Sequence, residues 1–281
     1  MELVDKLSNR QYIDGEWVES SNKNTRDIIN PYNQETIFTV AEGTKEDVER
    51  AILAARRSFE DGEWSLETSE VRGKKVRAVA DKIKKNREEL AKLETLDTGK
   101  TLEESYADMD DIHNVFMYFA GLADKDGGEI INSPIPNAES KVVKEPVGVV
   151  TQITPWNYPL LQASWKIAPA LATGCSLVMK PSEITPLTTI RVFELMEEVG
   201  FPKGTINLVL GAGSEVGDVM SGHEEVDLVS FTGGIETGKH IMKQAANHVT
   251  DVALELGGKN PNIIFDDADF ELAVDQALNG G

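Results

Sequence analysis

The chain has 281 residues, with 28 lysines and arginines against 48 aspartates and glutamates, for a formal net charge of −20. That surplus of negative charge disfavours nucleic acid and anionic membrane as partners, since both are polyanions. A hydrophobic fraction of 40% with a single cysteine, Cys175, excludes a disordered chain, a collagen-like fibre and a disulfide scaffold.

The start, Met1–Lys6, has no apolar core and reads as no signal peptide. No run of about 18 apolar residues is present, so the expectation is a soluble, cytoplasmic enzyme of one large or two ordinary domains. The first elements read as short strands and turns. Tyr12–Val18 has the pattern of a hairpin with Asp14-Gly15 at its turn. Thr44 with Asp47 marks a helix start, and Val48, Ile52, Ala55 and Phe59 then recur at helical spacing. Val76, Val79 and Ile83 mark another helix. Asn86 with Glu89 repeats the cap pattern ahead of Leu90 and Leu93, and Asp97-Thr98-Gly99-Lys100 stops that run. A helix is predicted from about Leu102 to Leu122, with Asp108, Asp110 and Asp111 as a solvated face.

Between Lys125 and Pro146 the helical period is lost. Two short strands fit there, near Glu129–Ile131 and Lys141–Lys144, as a ribbon leaving the body or a loop over the surface. From Val147 onward, short apolar runs alternate with helical ones. Strands are predicted at Val147–Thr154, Leu177–Lys180, Ile206–Leu210, Leu228–Thr232, Val252–Leu256 and Asn262–Phe265, with helices such as Pro186–Val199 and Gly238–Asn247 between them. This alternation predicts an α/β fold with a doubly wound parallel sheet, whose ligands bind outside the carboxyl ends of the strands. The last predicted helix, Phe270–Leu278, runs into Asn279-Gly280-Gly281 with nothing to cover the sheet, as expected of a truncated chain.

Five strand-end motifs carry candidate chemistry. In Thr154-Pro155-Trp156-Asn157-Tyr158-Pro159, Asn157 sits at a strand-to-helix corner, where its amide either donates to an oxyanion or caps the helix. In Lys180-Pro181-Ser182-Glu183, the acidic residue can accept from ribose hydroxyls and would repel a 2′-phosphate, unless the motif is simply a charged, solvated turn. Gly211-Ala212-Gly213-Ser214-Glu215-Val216-Gly217 is one residue longer than the dinucleotide fingerprint and is weak evidence alone. Phe231-Thr232-Gly233-Gly234 opens a second helix whose first amides would face a phosphate. Glu255, between Leu254 and Leu256, would be desolvated into a base working near neutral pH, or would pair with Lys259. Cys175 reads as a small core residue, and His113, His223, His240 and His248 show no metal-ligand spacing.

Taken in this order, Pro155–Pro159, Lys180–Glu183, Phe231–Gly233 and Glu255–Lys259 resemble the NAD(P)-dependent aldehyde dehydrogenase family over essentially all 281 residues, and within it the bacterial enzymes that oxidise betaine aldehyde. The resemblance implies attack of a cysteine thiolate on the aldehyde to give a thiohemiacetal, hydride transfer to NAD, and hydrolysis of a thioester. It implies Asn157 as oxyanion donor, Glu255 as general base and Lys166 as part of a charge relay. Lys180 and Glu183 match adenine-ribose contacts, and Thr154, Pro155, Trp156, Ser182, Gly213, Gly217, Thr232, Gly233 and Leu256 match the lining of the dinucleotide site. Gly234 stands where the family often has Ser. Ile28, Ile29, Asp97 and Ile184 match positions that hold a monovalent cation, potassium being the expectation.

A small-molecule aldehyde with a quaternary ammonium suits aromatic faces, and Tyr158 and Trp165, seven apart at one helix start, can share a side. An aminoaldehyde is the alternative substrate. The implied division is residues 1–124 as the N-terminal part of the cofactor-binding domain, 125–146 as an oligomerisation ribbon for a dimer or tetramer, and 147–281 as a Rossmann-like NAD-binding core. The family's nucleophilic cysteine is expected beyond residue 281, in a catalytic domain missing here, so a chain that binds NAD without catalysis is a further expectation.

Overall fold

Asp14 and Gly15 both take positive φ, 54° and 79°, the backbone of a tight hairpin turn. In this computed structural model, which describes residues 3–279, they join β1 (Gln11–Ile13) to β2 (Glu16–Val18). A second antiparallel pair, β3 (Thr25–Ile29) and β4 (Thr36–Ala41), leads into α1 (Lys45–Glu60). Thr44 and Asp47 form the expected capping box there, each side chain accepting from the other's backbone amide. Helices α2 (Ser69–Lys85), α3 (Arg87–Thr98) and α4 (Leu102–Leu122) follow.

Asn86 does not cap α3 through its side chain, contrary to expectation. It closes α2 instead, and its side-chain amide donates to the Lys82 carbonyl at 2.8 Å. With φ −102° and ψ 17°, its backbone lacks the extended shape that aims a side chain back at the helix amides. The segment after α4 forms a ribbon of β5 (Glu129–Ile131) and β6 (Ser140–Val142), paired antiparallel and exposed along its length.

The main sheet is built from β7 (Val149–Ile153), β8 (Ser176–Lys180), β9 (Ile206–Leu208), β10 (Leu228–Gly233) and β11 (Asp251–Leu256). Their connections are α5 (Pro159–Thr173), α6 (Leu187–Val199), α7 (Gly213–Gly222) and α8 (Ile235–Ala245), and α9 (Phe270–Asn279) comes last. Strand order is β11-β10-β7-β8-β9-β1-β2; the first five run parallel, and β1 joins β9 antiparallel. The order reverses between β7 and β10, so the crossovers after β7 and β8 lie on one face and those after β9 and β10 on the other. Two cores result. Val150, Leu177 and Met179 pack with α2 to α6, whereas Val149, Ile153, Val178, Val229 and Phe231 pack with α1, α7 and α8.

The expected strand Asn262–Phe265 does not form. Among the described residues β11 pairs with β10 alone, and this apolar run does not take up the open edge of β11. Ile263 and Phe265 are 69% and 73% exposed. No described helix is long and apolar enough to cross a membrane.

Candidate functional site

At the carboxyl ends of the strands, Lys180 stands in register with Ile153. Its side chain is buried, and Nζ donates to the Pro181 carbonyl and to Glu183 Oε2, each at 3.0 Å. Burial pushes the Lys180 ammonium below the usual lysine value, against the pull of Glu183. For Glu183, burial opposes charge, but Lys180 and backbone amides, including that of Gly213, outweigh it and hold the carboxyl below its ordinary value. Gly213 is the first residue of α7. The motif is therefore an ion pair of a buried lysine and a half-buried carboxylate seated at a helix N-terminus, where the dipole favours a carboxylate, and not a solvated turn.

A cleft of about 540 Å³ opens between α7 and α8, lined by Ile153, Lys180, Gly213, Gly217, Phe231 and His240. Gly213 and Gly217 lie one helical turn apart, and a Cβ on either would meet nothing within 4 Å. These two glycines leave room for a bound group against the α7 backbone. His240 Nε2 and Asp218 Oδ1, 2.6 Å apart, join α8 to α7 at this cleft. No side chain caps the start of α8 at Gly234. Thr154 and Thr232 keep buried hydroxyls without a hydrogen-bond partner, Ser182 is buried, and Pro155, Trp156, Gly233 and Leu256 are partly or fully open to solvent.

The opposite face of the sheet carries a different set. Lys166, buried on α5, donates to Ser230 Oγ at 3.0 Å, and Gln152 Nε2 donates to the Lys166 carbonyl at 2.9 Å. Burial pushes the Lys166 ammonium down to about 8, with the Glu255 charge opposing. Register explains the proximity: Ser230 pairs with Ala253 and Thr232 with Glu255, so Ser230 and Glu255 share a face. Leu254 and Leu256 point the other way, and Leu256 packs against Gly238 of α8. The expected burial of Glu255 between them is therefore not found; Glu255 is exposed. It makes no ion pair with Lys259 among the described residues. Asn157 is also exposed, and the cap of α5 is Tyr158, which makes no side-chain capping bond. The Asn157 amide is thus not engaged in capping.

The profile of the aldehyde dehydrogenase family matches residues 17–281. The chain belongs to the aldehyde dehydrogenase family. It is 66% identical to betaine aldehyde dehydrogenase of Bacillus subtilis (strain 168) over 97% of its own length and 56% of that protein's. It is 45% identical to peroxisomal aminoaldehyde dehydrogenase 1 of Pisum sativum, over 98% and 56% of the two chains. The structure of betaine aldehyde dehydrogenase from Staphylococcus aureus in complex with NAD+ superposes with a TM-score of 0.99 at 90% identity, covering 100% of this chain and 56% of that one. The chain thus spans about half the length of the relatives it matches.

In this aldehyde dehydrogenase chain the two aromatic residues expected to act together have different surroundings. The Tyr158 ring carries Lys100 Nζ at 4.2 Å from its centroid. Lys100 also pairs with Asp108 at 2.5 Å and with Glu94 at 3.8 Å. Asp108 is only 7% exposed, which corrects its reading as part of a solvated face; it lies where α4 packs on α3. Burial pushes the Glu94 carboxyl up to about 7, against a 2.6 Å bond from Thr188 and the charge of Lys100. Trp165 lines a cleft of about 450 Å³ with Asp111, Asn114, Val115, Tyr118 and Phe119 of α4. Sequence patterning assigns none of these α4 residues to a site. Their one signal is spacing, since 111, 114, 115 and 118 share a helix face.

Asp97 is buried at the end of α3. Its Oδ2 accepts from the Leu187 amide at 2.9 Å, while Oδ1 has no partner. Burial raises its carboxyl well above the ordinary value, with the Leu187 amide opposing. Gly99 abuts Pro31, two residues past Ile29, and Leu187 lies three past Ile184. Cys175 is buried in the core, with Sγ 3.5 Å from Thr173 Oγ1.

Proposed function

We propose that the full-length protein oxidises betaine aldehyde to glycine betaine with NAD. The observation that carries the reading is the Lys180–Glu183 pair at the head of α7, beside a cleft kept open by Gly213 and Gly217. Lys180 and Glu183 hold the adenosine ribose. Gly213 and Gly217, with Thr154, Pro155, Trp156, Ser182, Thr232, Gly233 and Leu256, line the rest of the dinucleotide path. Bound NAD supplies the hydride acceptor. Asn157 donates its amide to the aldehyde oxygen as negative charge develops there. Glu255 accepts a proton at its carboxylate, first from the nucleophile and then from water, with Lys166 holding charge beside it. Cys175, buried in the core, is not the nucleophile. The thiolate belongs to the part of the family's length that this chain does not span.

Trp165 offers an exposed aromatic face to the trimethylammonium group, and Tyr158 offers the ring face that Lys100 does not occupy. The unpartnered Asp97 Oδ1, with backbone carbonyls of Ile28, Ile29 and Ile184, suits a potassium ion that stabilises the end of α3. The exposed ribbon at residues 129–142 serves a homo-oligomer. An aminoaldehyde is the second reading, favoured by Asp111 in the Trp165 cleft, whose carboxylate would suit an N–H donor that betaine aldehyde lacks.

Two measurements test this. Calorimetric titration of the 281-residue chain with NAD+ should give saturable binding, and a flat titration would remove the cofactor reading. Assay of the full-length protein should give the higher kcat/KM with betaine aldehyde than with an aminoaldehyde. The reverse order selects the second reading, and no NAD reduction with any aldehyde would overturn both.

A further inference from the structure

A second ion pair sits at the head of α7, from a hairpin distant in sequence. Arg26 on β3 and Glu42, the residue after β4, face each other across that hairpin. The guanidinium grips the carboxylate with two parallel bonds, Nε to Oε2 at 2.5 Å and Nη2 to Oε1 at 2.7 Å. Glu42 Oε1 also accepts the amide of Ala212, the residue preceding α7, at 3.0 Å. Two carboxylates, Glu42 and Glu183, therefore share one helix N-terminus. Arg26, Glu42, Glu183 and Gly211 line a single narrow crevice. Arg26 lies within electrostatic reach of Glu183, and Glu42 within reach of Lys180.

We infer that Glu42 is a cofactor-specificity residue: by taking the Nε–Nη2 edge of the Arg26 guanidinium and neutralising its charge, it keeps that guanidinium from a 2′-phosphate and sets the site for NAD over NADP. The inference rests on the dinucleotide reading above and deepens it. The four side chains Lys180, Arg26, Glu42 and Glu183 balance to zero charge. A 2′-phosphate beside Glu183 adds between one and two negative charges where two carboxylates already stand. Arg26 is the cation placed to answer it, since Lys180 is buried against Glu183, yet Arg26 is held by Glu42. Its side chain is one-third exposed and so within reach of solvent and ligand once released. Neutralising Glu42 leaves the cluster with one net positive charge and a free planar fork, the geometry that suits phosphate.

The test uses the full-length protein with NAD+ and NADP+ as separate titrants. The E42Q variant keeps an oxygen that can accept the Ala212 amide, so the head of α7 remains capped. Its Kd ratio, NADP+ over NAD+, should fall at least about tenfold from wild type, the size of one charge-assisted hydrogen bond. The R26M/E42Q double variant should restore the wild-type ratio. R26K, whose ammonium cannot be gripped by two parallel bonds, should lower the ratio by a smaller factor and keeps the inference open to test where E42Q does not fold. A folded E42Q that binds NAD+ with an unchanged ratio overturns the inference while leaving the dinucleotide site intact. A fall that persists in the double variant also overturns it, because the change would then not come from Arg26. A wild-type chain that binds neither dinucleotide overturns the reading beneath it, and the inference falls with that reading.

Discussion

Two buried lysines, Lys180 and Lys166, are satisfied in different ways. Lys180 has a carboxylate at 3.0 Å, whereas Lys166 has the neutral hydroxyl of Ser230 at the same distance. Burial therefore lowers Lys166 to about 8, because the more distant Glu255 charge only partly offsets the lost hydration. A lysine depressed in the fold binds its proton less tightly folded than unfolded. Between pH 8 and its ordinary value the unfolded chain holds more protons, so this group makes stability rise with pH across that window. Below pH 8 the buried charge costs on the order of 3 kcal/mol. Lys166→Met should therefore be the more stable chain at pH 7, with the difference closing as pH climbs to about 10.5. Urea midpoints of both chains at several pH values check this; a difference independent of pH would show that Lys166 is not depressed.

At the scale of elements, what matters is how each helix begins. The head of α7 receives Glu183 and Glu42, and its approach depends on Gly211 at φ 131°. A Cβ there would lie 2.9 Å from the Gly43 carbonyl oxygen, in a backbone conformation that L-residues rarely adopt. Gly211→Ala should cost about 1–3 kcal/mol and shift the turn that carries the α7 amides. The expected result is weaker NAD+ binding by about tenfold or more, with a lowered urea midpoint. Unchanged binding with unchanged stability would show that the turn tolerates the substitution. The start of α5 differs, since Pro159 opens it and Tyr158 makes no side-chain capping bond. That leaves the Asn157 amide exposed at the carboxyl end of β7, where an oxyanion donor is useful.

Across the whole molecule, the sheet separates two tasks. The α7–α8 face carries the cleft with Lys180, Gly213 and Gly217, and the α5 face carries Lys166, Ser230 and Glu255. The segment between β7 and α5, with Thr154 to Tyr158, lies at the strand ends where a ligand on one face can meet side chains of the other. Apolar surface remains on the ribbon, where Ile130 is 83% and Val143 72% exposed. That exposure is what the proposed homo-oligomer contact through the ribbon would cover. The I130K/V143K double variant should lower the mass measured by light scattering while leaving NAD+ affinity unchanged. An unchanged mass would argue against the ribbon as the contact.

Spacing in the sequence was enough for the type and order of most elements. The capping box at Thr44 and the parallel strands β7 to β11 depend on backbone preference and apolar alternation within a few residues. The same spacing puts Asn157, Lys180, Glu183 and Glu255 at strand ends, but their roles follow only from the resemblance of the motifs as a set to the family. Spacing did not reveal Asp108 beneath Lys100, Glu42 against Ala212, or the lack of a partner for Asn262–Phe265. Strand alternation by itself turns Leu254 and Leu256 away from Glu255, but it did not show that they meet α8 there. Local sequence determines which way a side chain leaves its own backbone. Only the tertiary structure decides what meets it there, because residues 42 and 212 become neighbours through the course of the whole chain and not through any pattern within it.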